Sequence, residues 1–266
     1  MNFLYKLGVI GYGNMASAII EGAIGSKTLD ADNIAVFDKD RNKCEIASDL
    51  GVYVADNLTE LAASSEILLF AVKPQAFNDV CSEIKDKIKG KKIISILAGT
   101  TISKYKDALG DVAVVRVMPN TPALVGESVS AITLDEKDEE LLNFTKELFS
   151  SVGKVLLVPE SQINGITAIS GSGPAYVYEF MSALFNKAIT LGFAPEQAKV
   201  LVYQTVKGAA TMYEQSEEEL PELCAKVCSK GGTTIEAVNV FRKDGLEIIV
   251  DKAVQACFNR AEELSK

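Results

Sequence analysis

Short apolar runs recur through the first 160 residues, separated by stretches in which apolar residues return every three or four positions. The runs Leu7-Gly8-Val9-Ile10, Ile34-Ala35-Val36-Phe37, Val52-Tyr53-Val54, 66–72, 92–97, 112–117, 129–134 and 154–157 read as strands. Between them, Ala16, Ile19, Ile20, Ala23 and Ile24 share a helix face. Leu58 to Ala63, then Phe77, Val80, Ile84 and Ile88, then 102–109 and 138–149 repeat the pattern. The unbroken run Ile67-Leu68-Leu69-Phe70-Ala71-Val72 is that of a strand covered on both faces. Strand and helix alternating over short connections predict a doubly wound, mostly parallel sheet.

From Ser161 onward the strand pattern stops, and the chain reads as helices punctuated by glycine. The expectation is therefore an α/β domain over residues 1–160 and an all-α domain over 161–266. Ser170-Gly171-Ser172-Gly173-Pro174 opens a long helix on which Val177, Phe180, Met181, Leu184, Phe185, Ala188 and Ile189 cover more than one face. Tyr178, Glu179, Asn186 and Lys187 interrupt that run, which argues against a membrane span. A helix this apolar needs cover on several sides, and a second copy of the chain is the expected source. Further helices start at Pro195, after the acidic run Glu217-Glu218-Glu219, and after Thr234; the last, from Ile248 to Leu264, reads as packing.

Three places along this framework carry candidate chemistry. Gly11-Tyr12-Gly13-Asn14-Met15-Ala16 joins the first strand to the first helix, with glycine permitting the turn, glycine leaving room for a pyrophosphate, and a small residue packing helix on strand. Asp38, ending the second strand, is placed to accept from an adenosine ribose, whereas Lys39, Arg41 and Lys43 suit a 2′-phosphate or a solvated helix start, so NADH and NADPH both remain open. Lys73-Pro74 and Met118-Pro119-Asn120-Thr121-Pro122 fall at carboxyl ends of strands, where such sheets bind ligands. Ser229-Lys230-Gly231-Gly232-Thr233-Thr234 precedes a helix and offers backbone N–H groups and hydroxyls together, a cradle suited to a carboxylate.

Charge and composition narrow the partners. A formal charge of -9 argues against broad affinity for nucleic acid or an anionic membrane and favours small molecules or further copies of the chain. No leader pattern precedes the first strand, so a cytoplasmic location is expected. Five cysteines without paired spacing read as reduced and packed, with no metal site expected. The chain contains no histidine, which removes the usual proton shuttle.

Taken in order, Gly11 to Ala16, Val72-Lys73-Pro74, Met118 to Pro122, Ser170-Gly171-Ser172-Gly173-Pro174-Ala175-Tyr176 and Gly231-Gly232-Thr233-Thr234 resemble the pyrroline-5-carboxylate reductase family over nearly the whole chain. The resemblance implies a Rossmann-type domain followed by an all-α dimerisation domain, in homodimers that build larger rings such as a decamer. It implies NADPH- or NADH-dependent reduction of 1-pyrroline-5-carboxylate to L-proline, the last step of proline synthesis. Carried over by position, Gly11, Gly13, Asn14, Met15, Asp38, Asn57, Val72, Lys73, Pro74, Ala98, Gly99 and Asn120 would hold the cofactor. Ser229, Gly231, Gly232, Thr233 and Thr234 would hold the substrate, with Thr234 as the catalytic residue near the ring nitrogen. Lys230 stands where the family commonly has proline, which would leave the approach to the cradle less rigid or add a positive charge useful to a carboxylate.

Two other readings compete. A β-hydroxyacid dehydrogenase would use a helical-domain lysine such as Lys187 but leaves the threonine cradle unexplained. A non-catalytic dinucleotide sensor would bind cofactor without turnover.

Overall fold

The computed structural model describes residues 3–134 and 138–265. Met1 and Asn2, at the start of the stretch expected to hold no leader, lie outside them. The first strand, β1 (Tyr5–Ile10), leads through the glycine turn into α1 (Asn14–Gly25), then β2 (Ile34–Phe37), α2 (Arg41–Asp49), β3 (Tyr53–Val54) and α3 (Leu58–Ser64). The chain then crosses to β4 (Ser65–Phe70), α4 (Phe77–Ile84), β5 (Lys92–Ser95), α5 (Ile102–Leu109) and β6 (Ala113–Met118). β7 (Ser128–Leu134), α6 (Glu139–Ser150) and β8 (Gly153–Leu157) finish the sheet. Side chains cap several helix starts: Asp40 accepts from Asn42 N–H, Asn57 from Glu60 N–H and Thr101 from Lys104 N–H.

The strand order is β3-β2-β1-β4-β5-β6-β7-β8. Pairing is parallel except between β6 and β7. That reversal follows from the connection: a short helical turn, Thr121–Val125, ends at Gly126 with φ 74. It contains no crossover helix to return the chain to the starting edge. The sheet is thus mostly parallel, as the alternation predicts, and its order reverses between β1 and β4, which creates a crevice at their carboxyl ends.

Side chains of β4 show why the sheet is covered on both faces. Ile67 and Leu69 join one core with Leu7, Val9, Ile19, Val36 and Phe149, while Leu68 and Phe70 join the other with Ile10, Leu61, Ile84, Ile93 and Tyr105. Tyr105 is fully buried, packs edge-on against Phe70 and Phe77, and donates its hydroxyl to Ser95 Oγ at 2.7 Å. Each such fully buried aliphatic or aromatic side chain contributes roughly 1.5–3 kcal/mol of transfer free energy. Beside the first residues of β4 and β5, the Lys91 ammonium is buried, donates to Ser65 O at 2.6 Å and lies 4.3 Å from the centre of the Phe3 ring.

After β8 come α7 (Ile163–Ile166), a π-helical turn Thr167–Gly171, α8 (Gly173–Thr190), α9 (Pro195–Glu214), α10 (Leu220–Val227), α11 (Thr233–Lys243) and α12 (Leu246–Ser265). The chain forms two compact units, one of Met1–Ser172 with Cys257–Lys266 and one of Gly173–Ala256. α12 therefore begins in the helical unit and ends in the sheet unit. Within the sheet unit, Ser265 Oγ donates to Asn164 Oδ1 at 3.0 Å, and a Cβ built on Gly99 would stand 2.7 Å from Leu264 O. In the helical unit α8 packs on α9, and Phe180 faces Phe241 at 6.4 Å between ring centres. This unit leaves large apolar side chains uncovered, including Phe180, Leu201, Met212, Ile248 and Ile249. Among the described residues no helix is long and apolar enough to cross a membrane.

Candidate functional site

The glycine turn sits at the mouth of the crevice. Gly11 has φ +91 and donates its N–H to Phe37 O at 2.8 Å. A Cβ there would stand 2.9 Å from Val72 Cγ1 and 3.0 Å from Ala71 O. Gly13 is extended, with φ -85 and ψ -179, and nothing lies within 4 Å of where its Cβ would be. It caps α1 without a side-chain hydrogen bond, so the first N–H groups of that helix face open space, an arrangement that favours an anion.

Two cavities, of about 430 and 360 Å³, share Gly13, Ala71, Val72 and Lys73, forming one trough along the carboxyl ends of the strands. One limb runs past Asn14 and Met15 to Pro74, Ala98, Met118, Asn120 and Gly171. The other runs past Gly11 to Asp38, Lys39, Lys43 and Leu58. The apolar runs of β4 and β5 outlast the strands because their last residues, Ala71-Val72 and Ile96-Leu97, leave the sheet to line this trough. A long, two-limbed trough with a side-chain-free turn and an uncapped helix start at its waist fits a dinucleotide.

Polar side chains around the trough are held by specific bonds. Asp38 Oδ2 accepts the Tyr12 N–H at 2.7 Å, its Oδ1 accepts the Asp40 N–H at 2.8 Å, and Lys43 Nζ lies 3.5 Å from Oδ2. Asn120 is buried, accepts the Val129 N–H at 3.0 Å and donates to Ser170 O at 3.0 Å, tying its loop to the turn before Gly171. A Cβ at Gly171 would approach Met118 Cε to 2.8 Å, a contact that the flexible end of the methionine side chain can relieve by moving. The Tyr12 ring turns away into the core, where burial pushes its phenol up to about 12, and its hydroxyl has no hydrogen-bond partner among the described residues.

Most of the expected cofactor residues thus converge on one trough. Gly99 lines a separate neighbouring cavity of about 670 Å³ that shares Pro74 and Ala98 with it. Asn57 stands at the start of α3, its side-chain oxygen accepting Glu60 N–H at 2.9 Å. Leu58, Ala76 and Val80 also line the trough. Their helical spacing marks them as apolar faces, and nothing in the residues themselves separates a trough wall from a core.

The helical unit carries the residues expected to form the threonine cradle. Gly231 has φ +73, and Gly232 caps α11 with no side-chain hydrogen bond. The Gly232 N–H donates to Ser229 O at 3.0 Å, and the Ser229 hydroxyl fills the place a Cβ at 232 would take. Thr233 and Thr234 open α11 and are exposed, as is Lys230. Lys187 is exposed in the last turn of α8, where a cation complements the helix carboxyl end.

Comparison with known proteins finds likeness along the full chain. Residues 160–264 match the family described as pyrroline-5-carboxylate reductase dimerisation, and residues 6–99 match one described as NADP oxidoreductase coenzyme F420-dependent. A pyrroline-5-carboxylate reductase of Synechocystis is 37% identical over 98% of both chains. The solved structure of a pyrroline-5-carboxylate reductase from Coxiella burnetii superposes with a TM-score of 0.92 at 35% identity, covering 99% of each chain. That of Plasmodium falciparum pyrroline carboxylate reductase with NADP bound gives 0.89 at 29% identity over 100% of both.

Proposed function

This chain belongs to the pyrroline-5-carboxylate reductase family, and we propose on that premise that it reduces the cyclic imine 1-pyrroline-5-carboxylate to L-proline with NADPH or NADH. The observation that carries the proposal is full-length likeness to reductases of this name combined with a dinucleotide-shaped trough at the sheet crevice. The bound nicotinamide supplies a hydride to the imine carbon.

The remaining work falls to the chain. Gly11 sets the turn, Gly13 leaves it bare, and the first N–H groups of α1, at Asn14 and Met15, hold the pyrophosphate. Val72, Lys73, Pro74, Ala98 and Asn120 line the nicotinamide limb and Asp38 the adenosine limb. Gly99, from the neighbouring cavity, and Asn57, at the start of α3, complete the cofactor set in this proposal. Ser229, Gly231, Gly232 and Thr233 cradle the substrate carboxylate with N–H and hydroxyl donors, and Thr234 orients the ring nitrogen. A protonated imine is already electron-poor at carbon, so placement rather than strong acid catalysis sets the rate, which accords with a chain that has no histidine.

The dimerisation match at residues 160–264 supports a division by sequence into a dinucleotide-binding domain, 1–160, and a helical substrate-binding and dimerisation domain, 161–266, although by compactness 161–172 and 257–266 group with the sheet unit. The uncovered apolar side chains of the helical unit support a homodimer. Assembly of dimers into a ring such as a decamer, and a cytoplasmic location, complete the proposal. The direct test follows absorbance at 340 nm when the folded protein is mixed with the imine and either cofactor. Loss of absorbance is expected, and none with either cofactor would refute the assignment.

A further inference from the structure

We infer that Asp38 makes this chain select NADH over NADPH, because its carboxylate is fixed in the adenosine-side limb of the trough where a 2′-phosphate would have to lie. The inference rests on the reductase reading above and names which of its two cofactors the site takes. Asp38 directly follows the last residue of β2, the position from which a doubly wound sheet meets the adenosine ribose. Its side chain is only 13% exposed.

Both carboxylate oxygens are anchored by backbone donors, Tyr12 N–H on one and Asp40 N–H on the other. A carboxylate held at both oxygens cannot swing aside to admit a second anion. Oδ2 also faces Lys43, but Oδ1, which accepts the Asp40 N–H, keeps a lone-pair direction with which to accept a ribose hydroxyl. A 2′-phosphate brings more negative charge and, when fully ionised, no hydrogen to donate.

Nearby cations do not reverse this preference. Lys43 lies against Asp38 itself, so its charge is already matched. Lys39 and Arg41 are exposed, where solvent and salt screen their attraction. Lys39 lines this limb as well, and both line an adjoining cavity in which Glu45 and Asp56 place two negative charges beside them. The Tyr12 N–H belongs to the glycine turn, so the group that selects the nucleotide also braces the turn that binds it.

The test measures dissociation constants of NADH and NADPH by nicotinamide fluorescence on the full chain, without imine, for wild type, Asp38→Ser, Asp38→Asn and Lys43→Met. Wild type should bind NADH about tenfold or more tighter than NADPH, a conservative share of the repulsion between like charges at hydrogen-bond range. Either variant of Asp38 should move the ratio about tenfold or more toward NADPH, asparagine doing so while keeping an oxygen for Tyr12 N–H. A wild-type ratio that is smaller or favours NADPH would overturn the inference, as would a smaller shift in a folded Asp38 variant. Should both Asp38 variants fail to fold, Lys43→Met decides: a wider NADH preference supports the inference, and an unchanged or narrower one overturns it. Turnover is read separately. A protein with the expected binding ratio that reduces no imine refutes the reductase reading alone, and one that binds both cofactors alike and reduces the imine refutes only the selection by Asp38.

Discussion

Gly11 and Gly13 stand two residues apart in one turn, yet alanine should do opposite things at the two positions. At Gly11 the backbone φ is +91, and leaving the right-handed regions costs a residue with a Cβ about 1–2 kcal/mol. The new methyl would also stand 2.9 Å from Val72 Cγ1, which can rotate, and 3.0 Å from Ala71 O, which is backbone and cannot. Together these give a loss of about 2–3 kcal/mol for Gly11→Ala. At Gly13 the φ of -85 is open to any residue, and no atom lies within 4 Å of the added methyl. Gly13→Ala should therefore hold stability within about 0.5 kcal/mol of wild type, helped by a less flexible unfolded chain. Its methyl would project into the trough and weaken dinucleotide binding about tenfold or more. Urea unfolding followed by circular dichroism measures the first effect, and nicotinamide fluorescence the second, undisturbed by indole because the chain has no tryptophan. A Gly11→Ala protein as stable as wild type, or a Gly13→Ala protein that binds cofactor normally, would refute the division of labour within the turn.

Three further outcomes are expected. Tyr12→Phe removes a buried hydroxyl without a hydrogen-bond partner among the described residues and should raise stability by about 1 kcal/mol, read from the urea midpoint; a fall would show the hydroxyl is paired. Burial lowers the Lys91 ammonium to about 8 from 10.5, so between those values the unfolded chain holds the extra proton and stability rises with pH. Urea midpoints taken from pH 7.5 to 10 should show that rise in wild type and lose it in Lys91→Met, and equal slopes would contradict it. Thr234→Ala should lower turnover more than cofactor affinity, and unchanged turnover at saturating imine would remove Thr234 from the chemistry.

The sheet is legible in the sequence because burial on both faces leaves its strands almost purely apolar, as at Ile67 to Phe70. The same signal overruns the strand ends: Val72 and Ile96 are as apolar as the strands before them but line the trough, and hydropathy does not distinguish a core from a ligand wall. The reversal at β7 depends on what the turn after Asn120 lacks, a crossover helix, and a general expectation of a mostly parallel sheet does not locate it. Around the trough, the glycines announce themselves because φ +91 at Gly11 and the bare face at Gly13 leave few alternatives. The role of Asp38 as a brace was not visible, since its bond to the Tyr12 N–H joins residues 26 positions apart that meet only when β1 and β2 pair. The turn at Gly231 and the start of α11 at Gly232 were legible as a local motif because the glycines and the helix start are sequence neighbours.

The close approach of Leu264 to Gly99 bears on the order in which the protein assembles. Residues 257–265 belong to the sheet unit, although they are made after the whole of the helical unit. While the chain is being synthesised, the strands and helices up to Ser172 can pair as they emerge, but the floor beside Gly99 stays bare until the last turns of α12 arrive. Closing a contact over such a stretch of chain is slow compared with the local βα pairings. A nascent chain should therefore pass through a stage with its sheet formed and this edge of the nucleotide domain still open, one in which proteases and chaperones meet a surface that the finished protein hides.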